Sequence, residues 1–251
     1  MVRKYQYDYS SRQNSVYDCE ARERKGQTTL AILKDYLSSS PQALDLLDVG
    51  ASTGIIDHYL AKYFGSVTGI DIDATAIEYA RKTWEAGNLT FAVGDALHLQ
   101  FENERFDVVL CSHIYEHVID PHRMFAEIYR VLKPGGICYF AAGNRLMFNE
   151  PHYHLPLLAL LPRPVAHLYV RLAGKATHYH EKHLTFWELK NLVGEFKLTD
   201  YTLKTISSPE KFGIGYLVKR GSWKQKLAMF VLRHLPWASP GYIWILKKPA
   251  G

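Results

Sequence analysis

An acidic turn that carries two glycines is the first feature of the sequence that could bind a ligand. Asp48 ends an apolar run and is followed by Gly50 and Gly54. Asp71 ends a second apolar run 23 residues after Asp48, and Asp95 follows a third run. If these runs are parallel strands, their carboxyl ends meet at one edge of a sheet, where α/β proteins bind ligands. We therefore expect the three aspartates to share one pocket.

The charge of this turn separates two classes of ligand. A dinucleotide needs Gly-x-Gly-x-x-Gly and places its phosphates on a helix N-terminus, but Ser52 replaces the middle glycine here. Asp48 would repel phosphates, whereas it would attract a ligand that carries an ammonium and a sulfonium group. Asp71 is near the offset of about 20 residues expected for an acid that binds ribose hydroxyls, and Asp95 is expected near the adenine. The pattern favours S-adenosylmethionine over NAD.

Histidines after the fourth apolar run are candidates for a proton acceptor. His113 is the first choice, because histidine titrates near neutral pH and transfer of a methyl group to a hydroxyl needs a base. Packing of this ring against the cofactor explains the residue equally well. His117 is a second candidate, and His178, His180 and His183 are alternatives. An extended segment would place His178 and His180 on one side. No cysteine or carboxylate cluster accompanies them, so we predict no metal site.

The elements that position these residues alternate between strand and helix. Strands are predicted at 43–49, 67–70, 89–93, 106–111 and 137–142. Helices are predicted at 55–64, 74–84 and 121–132, the last with Asp120 as its N-cap. This alternation is typical of a doubly wound α/β fold, a Rossmann-like parallel sheet with helices on both faces.

The rest of the chain is less regular, and we treat residues 1–251 as one domain. A tyrosine-rich lead-in (1–40) contains a helix at 21–37, and two insertions (144–183 and 207–240) interrupt the alternation. A capping box at Thr185 and Glu188 predicts a helix to about residue 196. Residues 197–206 are predicted as a strand, 222–235 as a helix and 242–246 as the last strand.

Six segments resemble the class I S-adenosylmethionine-dependent methyltransferases, in particular the small-molecule group that includes the ubiquinone-biosynthesis type. They occur in the order 47–54 (LDVGASTG), 69–73 (GIDID), 94–96 (GDA), 106–109 (FDVV), 116–121 (EHVIDP) and 131–136 (VLKPGG). The resemblance spans roughly residues 44–142. It implies a seven-stranded sheet whose last strand, at 242–246, is antiparallel and whose two insertions form a helical cap.

The resemblance also implies a set of residues that contact the cofactor. The expected contacts are Asp48, Gly50, Ala51, Ser52, Gly54, Asp71, Ile72, Asp95, Ala96, Ser112 and His113. Ala51 and Ser52 depart from the commoner Gly-x-Gly form of the turn. In ubiquinone-type relatives Glu116-His117 can hold a divalent metal together with an earlier glutamate, but His113 occupies that earlier position. Asp107 is expected to pair with a neighbouring residue instead of contacting the cofactor.

The distribution of charged and apolar residues indicates the kind of acceptor that the second half of the chain would bind. Residues 1–143 carry a net charge of −5 and residues 144–251 a net charge of +10. The apolar segments 155–172 and 222–235 carry basic residues, a pattern found in a lid over the active site or in helices on an anionic membrane. We favour the lid. The pattern fits a hydrophobic or anionic acceptor, while no nucleic-acid-binding module is recognisable.

Three cysteines without metal-ligand spacing favour a reducing compartment, and residues 1–8 do not resemble a secretory signal. We expect a cytoplasmic protein, with contact to a membrane surface as an alternative. The expected function is methyl transfer to a small-molecule or lipid-like acceptor, with O-methylation favoured. A non-catalytic S-adenosylmethionine-binding module that recruits a partner is the alternative, and Asp48 argues against a dehydrogenase.

Overall fold

The computed structural model describes residues 6–250 and contains nine strands in that range. They are β1 (Asp45–Val49), β2 (Ser66–Asp71), β3 (Leu89–Val93), β4 (Phe106–Ser112), β5 (Leu132–Gly143), β6 (Asn149–Glu150), β7 (Leu155–Pro156), β8 (Lys197–Asp200) and β9 (Gly241–Lys247). Strands β6 and β7 form a small antiparallel hairpin, and the other seven form one sheet.

Nine α-helices lie in the same range and cover the sheet. They are α1 (Tyr9–Arg12), α2 (Cys19–Tyr36), α3 (Ile55–Ala61), α4 (Ala74–Thr83), α5 (Pro121–Val131), α6 (Arg163–Leu172), α7 (Phe186–Leu192), α8 (Thr202–Ser207) and α9 (Trp223–His234). The first five residues of the predicted lead-in lie outside the described range. No helix in residues 6–250 is long and apolar enough to cross a membrane.

The sheet has the order β3-β2-β1-β4-β5-β9-β8. Strands β1 to β5 pair in parallel, and β9 is antiparallel to both of its neighbours. The predicted Rossmann-like sheet with an antiparallel last strand is therefore confirmed. The order reverses between β1 and β4, which opens a crevice at the carboxyl ends of these two strands.

Successive side chains of β5 enter two separate hydrophobic layers because strand residues alternate between the faces of a sheet. Cys138 and Phe140 join the layer that α5 and α7 cover. Tyr139 and Ala141 join the layer covered by α2 and α3. Both faces are thus sealed, and the strand ends are held in fixed positions. Cys111 and Cys138 are buried free thiols in these layers.

Two predicted helix starts are confirmed by their caps. The Asp120 carboxylate accepts a hydrogen bond from the backbone N–H of Arg123 (3.0 Å) at the start of α5. The Thr185 hydroxyl and the Glu188 carboxylate form the predicted capping box at the start of α7. Both helices end earlier than predicted, as does α3 at Ala61.

The predicted strand at 197–206 is wrong in its second half. Strand β8 ends at Asp200, and α8 follows. The Asp200 carboxylate accepts a hydrogen bond from the N–H of Thr202 (2.7 Å), and the Thr205 hydroxyl donates to the Tyr201 carbonyl (2.6 Å). These local bonds turn the chain into a helix even though its alternating apolar pattern is typical of a strand.

Residues 133–136 form an irregular first part of β5. Helix α5 ends at Val131 as the Pro-Gly-Gly pattern indicates, but the strand begins directly at Leu132. Its register against β4 shifts between Phe106 and Val108, and Gly135 has a φ of +77°. Asp107 accepts hydrogen bonds from Lys133 Nζ (2.7 Å) and the N–H of Asp45 (2.9 Å), so its predicted structural pairing is confirmed.

Asp35 links α2 to the chain that follows β8. Its carboxylate accepts hydrogen bonds from the Tyr201 hydroxyl (2.8 Å) and from the ammonium groups of Lys204 and Lys211. The bonds from Lys204 and Lys211 outweigh the effect of burial and hold the pKa of Asp35 well below its usual range. Because the folded pKa is lowered, this carboxylate stabilises the fold at neutral pH and less so in acid.

We predict that Asp35→Asn lowers the free energy of unfolding at pH 7 by about 1–2 kcal/mol, because the neutral amide loses charge-assisted bonds to partly exposed lysines. Urea denaturation of both proteins measures the difference, which should shrink as the pH falls below the unfolded carboxylate pKa of about 3.9. Glu78→Gln is the control, because Glu78 pairs with Lys82 on the exposed surface of α4. An equal loss in both variants would contradict the proposed link.

Candidate active site

A pocket of about 420 Å³ lies at the carboxyl ends of β1, β2 and β4. The predicted cofactor contacts that line it are Asp48, Gly50, Ala51, Ser52, Asp71, Ile72, Asp95, Ala96, Ser112 and His113. Gly54 is the predicted contact outside this lining; it precedes α3, and a Cβ there would come within 2.5 Å of the Phe91 ring. The sheet edge therefore brings together residues that are far apart in sequence.

The backbone of the glycine turn is fixed against the neighbouring strand. The N–H groups of Gly50 and Ala51 both donate to the Ile70 carbonyl (2.8 and 2.9 Å). Gly50 has a φ of +94°, and a Cβ at this position would lie 2.1 Å from Ile114 Cδ1. The turn thus requires glycine at position 50 both for its conformation and for its space.

The carboxylate of Asp71 is held at the end of β2. Its two oxygens accept hydrogen bonds from the N–H groups of Ser52 (2.8 Å) and Asp73 (2.9 Å). Burial raises the pKa of Asp71 in spite of these bonds. Each carboxylate oxygen keeps further acceptor capacity, so the side chain can accept hydroxyl groups of a ligand. Asp95 is oriented in a similar way by the N–H of Leu97 (2.8 Å).

Asp48 forms the acidic floor of the pocket, and Asp57, buried on α3, is its neighbour. Burial raises the pKa of Asp48 to about 7, although the Arg22 guanidinium opposes the shift. Burial and the neighbouring Asp48 also raise the pKa of Asp57. Buried carboxylates resist ionisation unless positive charge is near. A cationic ligand is therefore favoured here over a phosphate.

Arg22 is a pocket residue that sequence analysis missed. It lies on α2, lines the pocket, and has a pKa lowered by burial. Its guanidinium can bind the carboxylate of an amino-acid ligand, while the acidic floor attracts the ammonium. The local sequence does not separate Arg22 from the neighbouring Arg24 and Lys25, because all three lie within one turn of a helix.

The lead-in forms a roof over the glycine turn, a role that its sequence pattern did not indicate. The Thr53 hydroxyl donates to the Val16 carbonyl (2.5 Å), and the N–H of Ser10 donates to the Asp73 carboxylate (2.7 Å). Tyr9 and Gln13 also line the pocket. The lead-in thus covers the cofactor pocket and reduces its contact with water.

His113 stands in the pocket beyond the glycine turn. Its side chain is half exposed, and its Nδ1 lies 3.5 Å from Oε1 of the buried Glu116. Burial alone would raise the pKa of Glu116, but the hydrogen bond from His113 and the nearby His117 outweigh it and lower that pKa. The ionised Glu116 favours the tautomer with a proton on His113 Nδ1, which leaves Nε2 to accept one.

The other predicted histidines divide into two groups. His117 lines the pocket, with its Nδ1 3.2 Å from Gln6 Oε1, and burial lowers its pKa to about 4. It is therefore neutral at pH 7. His178 and His180 are not in the pocket lining; His178 Nδ1 lies 3.2 Å from the Thr177 hydroxyl, and His180 is exposed. The structure thus brings His117, but neither His178 nor His180, to His113.

A buried cluster of histidines and glutamates adjoins His117, and sequence analysis missed its acidic members. Glu150 contacts His152 and His183, while Glu181 Oε1 lies 3.8 Å from His117 Nδ1. A local indication of this cluster in the sequence is the short spacing of Glu150 and His152, which a single proline separates. The expectation that no carboxylate cluster accompanies these histidines is therefore wrong.

Sequence comparison relates the chain to known methyltransferases. Residues 47–140 match a family model described as a methyltransferase domain. A ubiquinone biosynthesis O-methyltransferase of Coxiella burnetii (strain Dugway 5J108-111) is 31% identical over 164 residues, which are 62% of this chain and 65% of that protein. The corresponding protein of Actinobacillus pleuropneumoniae serotype 7 (strain AP76) is 31% identical over 167 residues, 62% of this chain and 68% of its own. The chain thus spans slightly less than two thirds of the Coxiella protein.

Solved structures share the fold. One chain of the complex between the Haloferax volcanii Trm112 methyltransferase activator and a methyltransferase superposes with a TM-score of 0.59 at 18% identity, covering 98% of this chain and 99% of that chain. An S-adenosylmethionine-dependent methyltransferase of Methanosarcina mazei gives 0.55 at 22% identity, covering 88% and 98%. With the sequence relatives and the acidic glycine turn, these matches lead to one conclusion. The chain belongs to the class I S-adenosylmethionine-dependent methyltransferases.

Proposed function

We propose that this protein transfers a methyl group from S-adenosylmethionine to a hydroxyl oxygen of a small, apolar or lipid-like acceptor. The observation that carries the proposal is a single pocket that contains both the acidic glycine turn and His113. A base beside the cofactor pocket is needed for a hydroxyl acceptor, which must lose its proton. The names of the Coxiella and Actinobacillus relatives, both O-methyltransferases, support transfer to oxygen.

The residues of the pocket fit the cofactor. Asp71 would accept the ribose hydroxyls, Asp95 would lie near the adenine, and Asp48 with Arg22 would bind the amino-acid end. When bound, S-adenosylmethionine supplies a methyl group that its positively charged sulfur already activates. The task of the protein is then to orient the acceptor and to exclude water, which the lead-in roof assists.

We assign His113 as the base. Its Nε2 would accept the acceptor's hydroxyl proton as the oxygen forms its bond to the methyl carbon. Glu116, 3.5 Å from His113 Nδ1, would position the ring and stabilise the imidazolium. His117 is neutral and lies further along the pocket, so it would pack beside the acceptor.

The two basic apolar segments do not form the lid that the sequence indicated. Leu172 on α6 is 78% exposed, and Trp223 and Phe230 on α9 are 70% and 56% exposed. Helix α6 instead buries Ala166 and Val170 in a separate small cluster. The favoured prediction of mutual packing is therefore wrong for these side chains.

We propose that the exposed apolar side chains of α9 rest on an anionic lipid surface. Lys224, Lys226 and Arg233 lie on the same helix and would complement lipid phosphates. Apolar burial and attraction to anionic headgroups together stabilise such amphipathic helices on membranes. A lipid-like acceptor would then reach the pocket from the membrane.

The glycine turn should not tolerate a side chain at position 50. Gly50→Ala should weaken S-adenosylhomocysteine binding by about 10- to 100-fold. The alanine Cβ would overlap the Ile114 side chain, and the positive φ would strain the backbone at a cost of about 1–3 kcal/mol. Calorimetric titration measures the affinity. Gly135→Ala is the matched control: Gly135 also has a positive φ, but open space surrounds its added Cβ. A thermal shift with NAD and none with S-adenosylhomocysteine would contradict the cofactor assignment.

His113→Ala should lower kcat by about 10²- to 10⁴-fold, the usual contribution of a general base, while S-adenosylhomocysteine affinity changes little. Transfer of labelled methyl groups to hydroxylated, quinone-like aromatics measures the rate. His178→Ala and His180→Ala test the alternative bases and should keep full activity. Loss of turnover in either of them, with normal turnover in His113→Ala, would reverse the assignment.

Trp223→Ser combined with Phe230→Ser should reduce co-sedimentation with vesicles of anionic phospholipid by about tenfold, because two exposed aromatic anchors are lost. The same vesicles made of zwitterionic lipid alone should bind the parent protein weakly. Trp187→Ser, which removes a tryptophan that is 57% exposed on α7, is the control. Equal sedimentation of the parent protein and the double variant would refute the proposed surface.

A further inference from the structure

Three side chains of the first insertion converge at one point below the acceptor end of the pocket. Glu150 Oε1 lies 2.6 Å from His152 Nδ1 and 3.1 Å from His183 Nε2. Glu150 is fully buried, and His183 is 5% exposed. None of the three lies in residues 47–140, which match the methyltransferase family model.

The backbone fixes the orientation of the Glu150 carboxylate. Its second oxygen, Oε2, accepts hydrogen bonds from the N–H groups of His152 (2.8 Å) and Tyr153 (2.9 Å). The remaining oxygen, Oε1, therefore faces the two imidazoles. One carboxylate oxygen and two imidazole nitrogens therefore lie within 4.8 Å of one another.

The segment that carries His183 is also held in place. The N–H of Lys182 donates to the Glu116 carbonyl (2.9 Å), and the N–H of Leu184 donates to the Tyr115 hydroxyl (3.2 Å). The Tyr115 hydroxyl in turn donates to the Gly143 carbonyl (2.5 Å) at the end of β5. The ligand candidates thus come from two segments that the sheet positions, which is the preorganisation that a metal site needs.

Two imidazoles and one carboxylate are the protein donors of many catalytic zinc sites, which keep a fourth position open. A tetrahedral zinc ion holds such atoms about 2.0–2.2 Å away and so roughly 3.3–3.5 Å from each other. The Glu150–His183 separation of 3.1 Å is close to this spacing, whereas His152 Nδ1, 2.6 Å from Glu150 Oε1, has to move away from that oxygen when the ion binds. His152 belongs to an irregular turn after β6, which makes such a movement easy.

The electrostatic surroundings favour a cation. Glu116 and Glu181 lie beside the three ligands and are also buried, at 0% and 3% exposure. Burial of several carboxylates is costly unless positive charge compensates for them. The two ion-pair partners of Glu150 are histidines, which supply charge only when protonated. A divalent ion would supply it at neutral pH.

We propose that Glu150, His152 and His183 bind one Zn²⁺ ion per chain. His152 also lines the cofactor pocket, so the open position of the ion would face the acceptor side. An acceptor oxygen bound there would be oriented towards His113; this use of the ion rests on the proposed function, whereas its binding does not. The alternative set Glu116, His117 and His152 shares one residue with it and is distinguished by mutation.

Metal titration tests the site without any methyl transfer. After treatment with a chelator, the full chain should bind one equivalent of Co²⁺ with visible d–d absorption of tetrahedral type, and calorimetry should show one Zn²⁺ site. Glu150→Gln and His183→Ala should each weaken Zn²⁺ binding by more than the roughly 10- to 100-fold that loss of an outer partner costs. His154→Ala and His178→Ala, which remove nearby histidines outside the site, should leave it unchanged.

Folding of each variant is checked by its thermal shift with S-adenosylhomocysteine, because the cofactor residues are not altered. His152→Ala, in the turn, provides a third variant if a buried substitution prevents folding. Absence of a Co²⁺ spectrum in the parent protein, or unchanged Zn²⁺ affinity in the folded variants, would overturn the proposal. Loss of binding in Glu116→Gln combined with retention in Glu150→Gln would place the ion at the alternative set and would also overturn it.

Discussion

Buried negative charge at the carboxyl edge of the sheet is the constraint on which the site depends. Asp48 and Asp71 line the pocket, Asp57 is buried on α3, and the charge of the Arg22 guanidinium acts on all three. Isolated carboxylates cannot remain ionised in such a place at low cost. Burial raises the pKa of all three although Arg22 opposes the shift, so further positive charge would stabilise their ionised forms. A ligand with a sulfonium and an ammonium provides it, whereas a diphosphate would add to the repulsion.

The acceptor end of the pocket also contains buried carboxylates, but neighbouring histidines stabilise them. Glu116 and Glu150 are as deeply buried as Asp48, but each lies against histidines that lower its pKa. Burial would raise the pKa of Glu150, yet the hydrogen bonds from His152 and His183 bring it to about 2. The carboxylates at this end are thus ionised, and each accepts a hydrogen bond from an imidazole. One pocket therefore contains a cation-binding half and a half suited to proton transfer.

Local sequence was sufficient to predict the acidic residues of the cofactor half, although not Arg22 or the lead-in. Asp48 and Asp71 lie near the carboxyl ends of β1 and β2, Asp95 follows β3, and the parallel order of these strands alone brings their ends together. The caps at Asp120 and Thr185 were equally predictable, because the bonds span three residues. The rest depends on contacts between distant segments. Glu150 meets His183 across 33 residues, and Thr53 meets Val16 across 37, and no local pattern indicates either pair.

The pocket features that sequence analysis missed lie outside the residues that the family model matches. The family model ends at residue 140, whereas His152 and the exposed side chains of α6 and α9 all follow it. A shared fold does not fix the reaction that a site performs; here residues 47–140 contain all of the predicted cofactor contacts, and the first insertion adds His152 to the pocket lining. Substitutions in 144–183 should therefore alter which acceptor is used, while substitutions at the glycine turn should alter cofactor affinity for every acceptor alike. His113 joins the two halves. It follows the end of β4, and its Nδ1 lies 3.5 Å from Glu116, whose carbonyl accepts a hydrogen bond from Lys182 of the first insertion.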